Sequence, residues 1–139
     1  MAKWILLVAM LITVKSEAAD PLTGKYVAQK SIQTGIAKSR PSAAVIRIGT
    51  VVASRAPVFV DIAEPTARQE CSGSISGRAR VVGDRLTLSK KNVAGETCKL
   101  VIAVDGDRAS VVSESGCGGF HGVGCSFDTS AVNLFRVRE

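Results

Sequence analysis

The chain has 139 residues and a formal net charge of +6, with 18 basic against 12 acidic side chains, and it carries four cysteines, one histidine and few aromatics. That length suits one domain. Its Lys and Arg are spread rather than blocked and not interleaved with aromatics, which argues against a nucleic-acid-binding stripe.

The first residues read as an export signal. Lys3 supplies a positive start, Trp4–Val14 is an eleven-residue apolar run, and Ser16-Glu17-Ala18 places small residues for a cut after Ala18. The run is shorter than the about 20 apolar residues that span a bilayer, and no other segment is long and apolar enough, so no transmembrane segment is expected. We therefore read residues 1–18 as a signal peptide and 19–139 as a single β-rich domain, bound for the periplasm or the extracellular space. This mature part keeps 16 basic and 11 acidic residues, a net charge of +5. Charge of that size supports mild attraction to anionic surfaces.

The segment Tyr26–Arg40 is polar and weakly patterned; loop, edge strand and short helix all fit it. After Pro41, AAVIRIGTVVA alternates Ala44, Ile46 and Ile48, and after the break near Pro57, APVFVDIA alternates Val58, Val60 and Ile62. Both are β-rich in composition and period.

The C-terminal half is clearer. SISGRARVV (Ser74–Val82) puts Ile75, Ala79 and Val81 on one face and Arg78 and Arg80 on the other; RLTLS follows across Gly83-Asp84, a two-residue hairpin signal. Pairing Val82 with Arg85 sets Val81 opposite Leu86, so the apolar faces agree. Downstream, TCKLVIAV and RASVVS flank Asp105-Gly106-Asp107. Pairing Val104 with Asp107 sets Ile102 opposite Ala109, Leu100 opposite Val111 and Cys98 opposite Ser113. A last strand, AVNLFRVR, is read with Phe135 and Val137 inward and Arg136 and Arg138 outward. The fold expectation is all-β: a small antiparallel β-barrel or sandwich of about seven or eight short strands with two disulfides.

An even cysteine count in an exported chain reads as disulfides. The expected register gathers Cys71, Cys98, Cys117 and Cys125 at one end of the sheet and favours Cys71–Cys98 with Cys117–Cys125; Cys71–Cys117 with Cys98–Cys125 stays open. The stretch GCGGFHGVGCSF (Gly116–Phe127) then becomes a stapled turn whose glycines permit sharp bends. A zinc reading would take Cys117, His121 and Cys125 with Cys98 or Cys71, but the spacing is unusual and oxidation removes the thiolates. GSISG has Ile75 where a nucleophile elbow needs serine. Asp84, Asp105 and Asp107 sit where turns favour aspartate. No catalytic set, metal or cofactor is expected. Arg78/Arg80 and Arg136/Arg138 read most simply as solvated basic pairs or edge protection; the chemical alternative is a phosphate- or carboxylate-binding patch.

The segments CSGSISGRARVVGDRLTL, TCKLVIAVDGDRASVVSESGC and FHGVGCSF resemble a pattern of small exported bacterial β-proteins, mostly of unknown function. Size, export and β-rich character also resemble the periplasmic inhibitors of c-type lysozyme, which are small β-barrels. That family's Ser-Gly-x-x-Tyr segment has no clear match here, so no inhibitory residue carries over. The likeness covers roughly Cys71–Phe127. It implies a non-enzymatic binding protein of the bacterial envelope, a lysozyme inhibitor in its narrower form. Phe120, His121, Arg136 and Arg138 are the expected partner-binding residues, and the partner a lysozyme-like protein or an anionic envelope surface. The alternative is a small secreted hydrolase or metal-dependent enzyme using His121. Against the lysozyme form stands charge: such lysozymes are basic, and so is this chain.

Overall fold

The computed structural model describes residues 20–28, 43–65 and 70–138. Eight strands follow in order: β1 (Gly24–Val27), β2 (Ala43–Ile48), β3 (Arg55–Pro65), β4 (Glu70–Val82), β5 (Arg85–Lys91), β6 (Thr97–Asp105), β7 (Arg108–Ser115) and β8 (Leu134–Val137), with a one-turn helix α1 (Phe127–Ser130) before the last. Each strand pairs antiparallel with the next, and β8 returns to β1, closing a barrel. Among the described residues closure leaves no strand as a free edge strand. The expected signal peptide and most of Tyr26–Arg40 lie outside the described residues; Tyr26 and Val27 belong to β1.

Period-two alternation builds the core. Ala44, Ile46 and Ile48 point inward from β2, and Val58, Val60 and Ile62 from β3, as the pattern predicts. Tyr26, Leu86, Leu88, Leu100, Ile102 and Val111 are among the residues that pack with them in the interior. The inward row of β4 runs Cys71, Gly73, Ile75, Gly77, Ala79. Its small members leave room that neighbours fill: a Cβ on Gly77 would meet Leu88 Cδ1 at 2.8 Å.

The first hairpin has the expected register, Val82 facing Arg85 and Val81 facing Leu86. Gly83 takes a positive φ of 60°, the glycine-first turn that suits hairpin twist. The second hairpin differs. Its turn is Gly106-Asp107, so Asp105 pairs with Arg108 and Ile102 faces Val111 rather than Ala109. The two registers differ by two residues, which leaves every side chain on the same face, so alternation alone does not choose between them. A bulge then interrupts the ladder between Val101 and Ile102, skipping Val112 on β7. The extra residue reverses the facing of the β7 residues beyond it. Leu100 is opposite Glu114, and Glu114 instead of Ser113 turns toward the barrel mouth.

The last strand also corrects the sequence reading. Leu134 is buried, Val137 is exposed, and Arg136 shares Leu134's inward parity. Asn133 enters β8 with a positive φ of 53°, which rotates the strand by one position relative to the expectation.

The disulfides are Cys71–Cys125 and Cys98–Cys117, so no free cysteine remains. This is neither the favoured nor the alternative pairing. The favoured one failed because it extended the β4–β5 ladder to Cys71. That ladder stops after three pairs, at Arg80 and Thr87. Beyond it β4 leaves β5, and the bulge on β7 brings Cys117 to Cys98.

Candidate functional site

The parting of β4 from β5 shapes both notable regions of the surface. Toward the disulfide end, the gap is filled by the glycine-rich loop itself. Ser74 N donates to Phe120 O at 3.1 Å and Gly122 N to Ser72 O at 3.1 Å, so Phe120–Gly122 lies against β4 as a substitute strand. Gly73 and His121 form the bridge. Cys71–Cys125 ties the loop to β4, and Cys98–Cys117 ties it to β6. Lys90 spans the remaining gap, its Nζ donating to Ser76 O at 2.7 Å.

This loop is therefore part of the wall. Phe120 is half-buried and packs on the core. The His121 side chain is 12% exposed; Nε2 lies 3.1 Å from Glu114 Oε1 and Nδ1 lies 2.9 Å from Gly122 O. The other Glu114 oxygen accepts from Phe127 N at 2.8 Å, and the buried Phe127 ring meets the imidazole edge-on at 5.3 Å. Glu114 thus braces the loop and helix α1 together. Both imidazole nitrogens face oxygen acceptors, and the four cysteines are consumed in disulfides, so thiolate ligation of a metal has no donors here. Among the described residues no group of three or more His, Cys, Asp or Glu is gathered as for a metal ion.

Arg136 is placed differently from the outward position expected of it. Its guanidinium lies 5.1 Å over the Tyr26 ring, and its Nη2 donates to Pro21 O, Tyr26 Oη and, at 3.4 Å, Gly106 O. Tyr26 Oη in turn donates to Leu22 O at 3.0 Å. Arg136 so ties β8, β1, the N-terminal turn and the β6–β7 hairpin. Arg138 is exposed at the end of the described chain.

Where the two strands begin to part, the outer wall holds a cleft of about 490 Å³. Arg55, Arg78, Arg80 and Lys99 supply its charge, and Thr87 and Ser89 supply hydroxyls. The register explains the clustering. Arg55, Arg80 and Thr87 stand abreast on β3, β4 and β5, and Ser89 faces Lys99 across β5 and β6. Arg78 shares the outer face of β4 with Arg80, two residues away. No carboxylate lines the cleft, and none of its four cations pairs with one among the described residues. Like charges directly opposite on paired strands are destabilising, so this arrangement is a cost to the bare fold. Sequence reading found Arg78 and Arg80 as a basic pair but missed Arg55, Thr87, Ser89 and Lys99. Only the parity of each strand was available, and parity does not say which strand meets which at what height.

Comparison with protein-family models, curated proteins and solved structures gives no match for this chain. Fold and site define its class: a doubly disulfide-bonded, eight-stranded antiparallel barrel with an uncompensated cationic cleft on its outer wall. Two disulfides with no free thiol belong to an oxidising, non-cytoplasmic compartment. No helix among the described residues is long and apolar enough to cross a membrane.

Proposed function

We propose that this chain is an exported, non-enzymatic binding protein of the bacterial envelope whose partner is anionic and seats in the Arg55/Arg78/Arg80/Lys99 cleft. The observation that carries the reading is the direct opposition of Arg55 and Arg80 with no carboxylate between them. Strand spacing holds the two backbones about 4.8 Å apart, so their guanidiniums offer adjacent forks to one phosphate-like group. Arg78, Lys99 and the hydroxyls of Thr87 and Ser89 supply further donors. A bound anion relieves the repulsion and converts a structural cost into affinity. Processing after Ala18 and export belong to the same reading, since the disulfides need an oxidising destination.

Binding is favoured over catalysis because the single histidine is engaged at both ring nitrogens within the wall. The narrower lysozyme-inhibitor form would use Phe120 and His121 on a basic partner. The cationic cleft favours anionic partners instead, and a lysozyme-activity assay with the purified chain tests that form.

The experiment for the main reading is calorimetric titration with pyrophosphate at low ionic strength. The unchanged chain binds, binding weakens as salt rises, and Arg55→Ser/Arg80→Ser lowers affinity by about tenfold or more. Equal affinity in the double variant overturns the assignment of the cleft.

A further inference from the structure

Arg78 belongs to two hollows at once. On one side lies the cationic cleft; on the other lies a shallow groove of about 480 Å³ over β2, β3 and β4. The groove's floor is apolar: Pro57 and Phe59, with Gly49, Gly77 and the backbone of inward-pointing Val58, between Arg47 and Arg78. Its form comes from register. Phe59 sits between Arg47 on β2 and Ser76 on β4, and Pro57 faces Arg78. Gly49 lets the Pro57 ring lie flat against β2, because a Cβ there would fall 2.4 Å from Pro57 Cγ. Phe59 is 37% exposed on an outer wall where its alternation calls for a polar side chain.

A cationic polar hollow that shares Arg78 with an apolar one matches an amphiphile, not a simple anion. Resting on the anion-binding reading above, we propose that the ligand is a single lipid with a net-anionic phosphate head. Its head group takes Arg55, Arg78, Arg80 and Lys99, and its apolar part lies along Pro57 and Phe59. Charge complementarity favours this orientation, since one hollow gathers four cations with Thr87 and Ser89, whereas the groove has Pro57 and Phe59 between Arg47 and Arg78. From β2 to β4 the groove is two strand spacings across, roughly 10 Å, which suits one chain rather than a bilayer face.

The test compares three soluble probes by calorimetry: glycerol 3-phosphate, dihexanoyl phosphatidic acid below its micellar concentration, and dihexanoyl phosphatidylcholine. The apolar run Trp4–Val14 is common to every variant of the full chain, so differences between variants report the wall alone. The phosphatidic acid binds at least about tenfold tighter than glycerol 3-phosphate, because burying even a few methylenes against Phe59 is worth that factor. Phe59→Thr, which keeps a strand-forming residue, removes that gain and leaves glycerol 3-phosphate affinity unchanged; a thermal melt confirms the fold. Equal affinities for phosphatidic acid and glycerol 3-phosphate overturn the lipid proposal while leaving the anion site standing. An unchanged lipid affinity in Phe59→Thr, equal binding of the phosphatidylcholine, or binding to anionic vesicles with none to the monomer also overturns it. Failure of both phosphate probes removes the anion site and the lipid proposal together.

Discussion

Gly73 on β4 faces His121 across an antiparallel bridge, so closely that a Cβ on Gly73 would lie 2.4 Å from His121 Cβ and 2.7 Å from Phe120 O. The loop enters the barrel wall only because that Cβ is missing. Gly73→Ala pushes the loop off β4 and costs about 1–3 kcal/mol, the range for overpacking a fitted site. Its unfolding midpoint falls, and hydrogen exchange at Ser74 and Gly122 accelerates. Unchanged protection at those two amides would show that the loop does not pair with β4.

The nested disulfides make unequal contributions. They close separations of 54 residues for Cys71–Cys125 and 19 for Cys98–Cys117. The loop-entropy estimate assigns about 4 and about 3 kcal/mol respectively. One lies inside the other, so the increments do not add. Peptide mapping of the unreduced protein gives these two linkages, and the pair Cys71→Ala/Cys125→Ala loses more stability than Cys98→Ala/Cys117→Ala. A map showing Cys71 joined to Cys98 would remove the arrangement of the loop described above.

Arg80→Glu separates stability from binding. It places a carboxylate opposite Arg55, replacing repulsion with attraction worth about 0.2–1 kcal/mol. At low salt the denaturation midpoint therefore rises slightly, while affinity for pyrophosphate falls. Binding sites that carry a cost in stability show this opposition. A loss of both together would mean that Arg80 is structural.

The two C-terminal arginines behave differently. Arg136→Ala removes the guanidinium over Tyr26 and its bonds to Pro21, Tyr26 and Gly106. The expected loss is about 1–3 kcal/mol. Arg138→Ala, at an exposed site, changes stability by less than about 0.5 kcal/mol. Denaturant titration of both variants checks the contrast.

Several elements are legible in the amino-acid sequence by itself. The alternation of Ile46 and Ile48, of Val60 and Ile62, and of Leu86 and Leu88 specifies strands with one buried face. Gly83-Asp84 specifies a tight turn, and four cysteines behind an export-like start specify disulfides. These features depend on covalent geometry within a few residues: side chains alternate across a strand, and glycine alone takes positive φ cheaply. Tertiary structure decided which distant residues meet. The second hairpin's register moved by two positions without changing any face. The bulge at Val112 turned Glu114 toward the mouth, Asn133 set Arg136 against Tyr26, and the early parting of β4 and β5 chose the cysteine partners. The same parting opened the cleft beside Arg55 and Arg80. Each of these results from closing eight strands into one barrel, a condition on the whole chain that no short window of sequence contains.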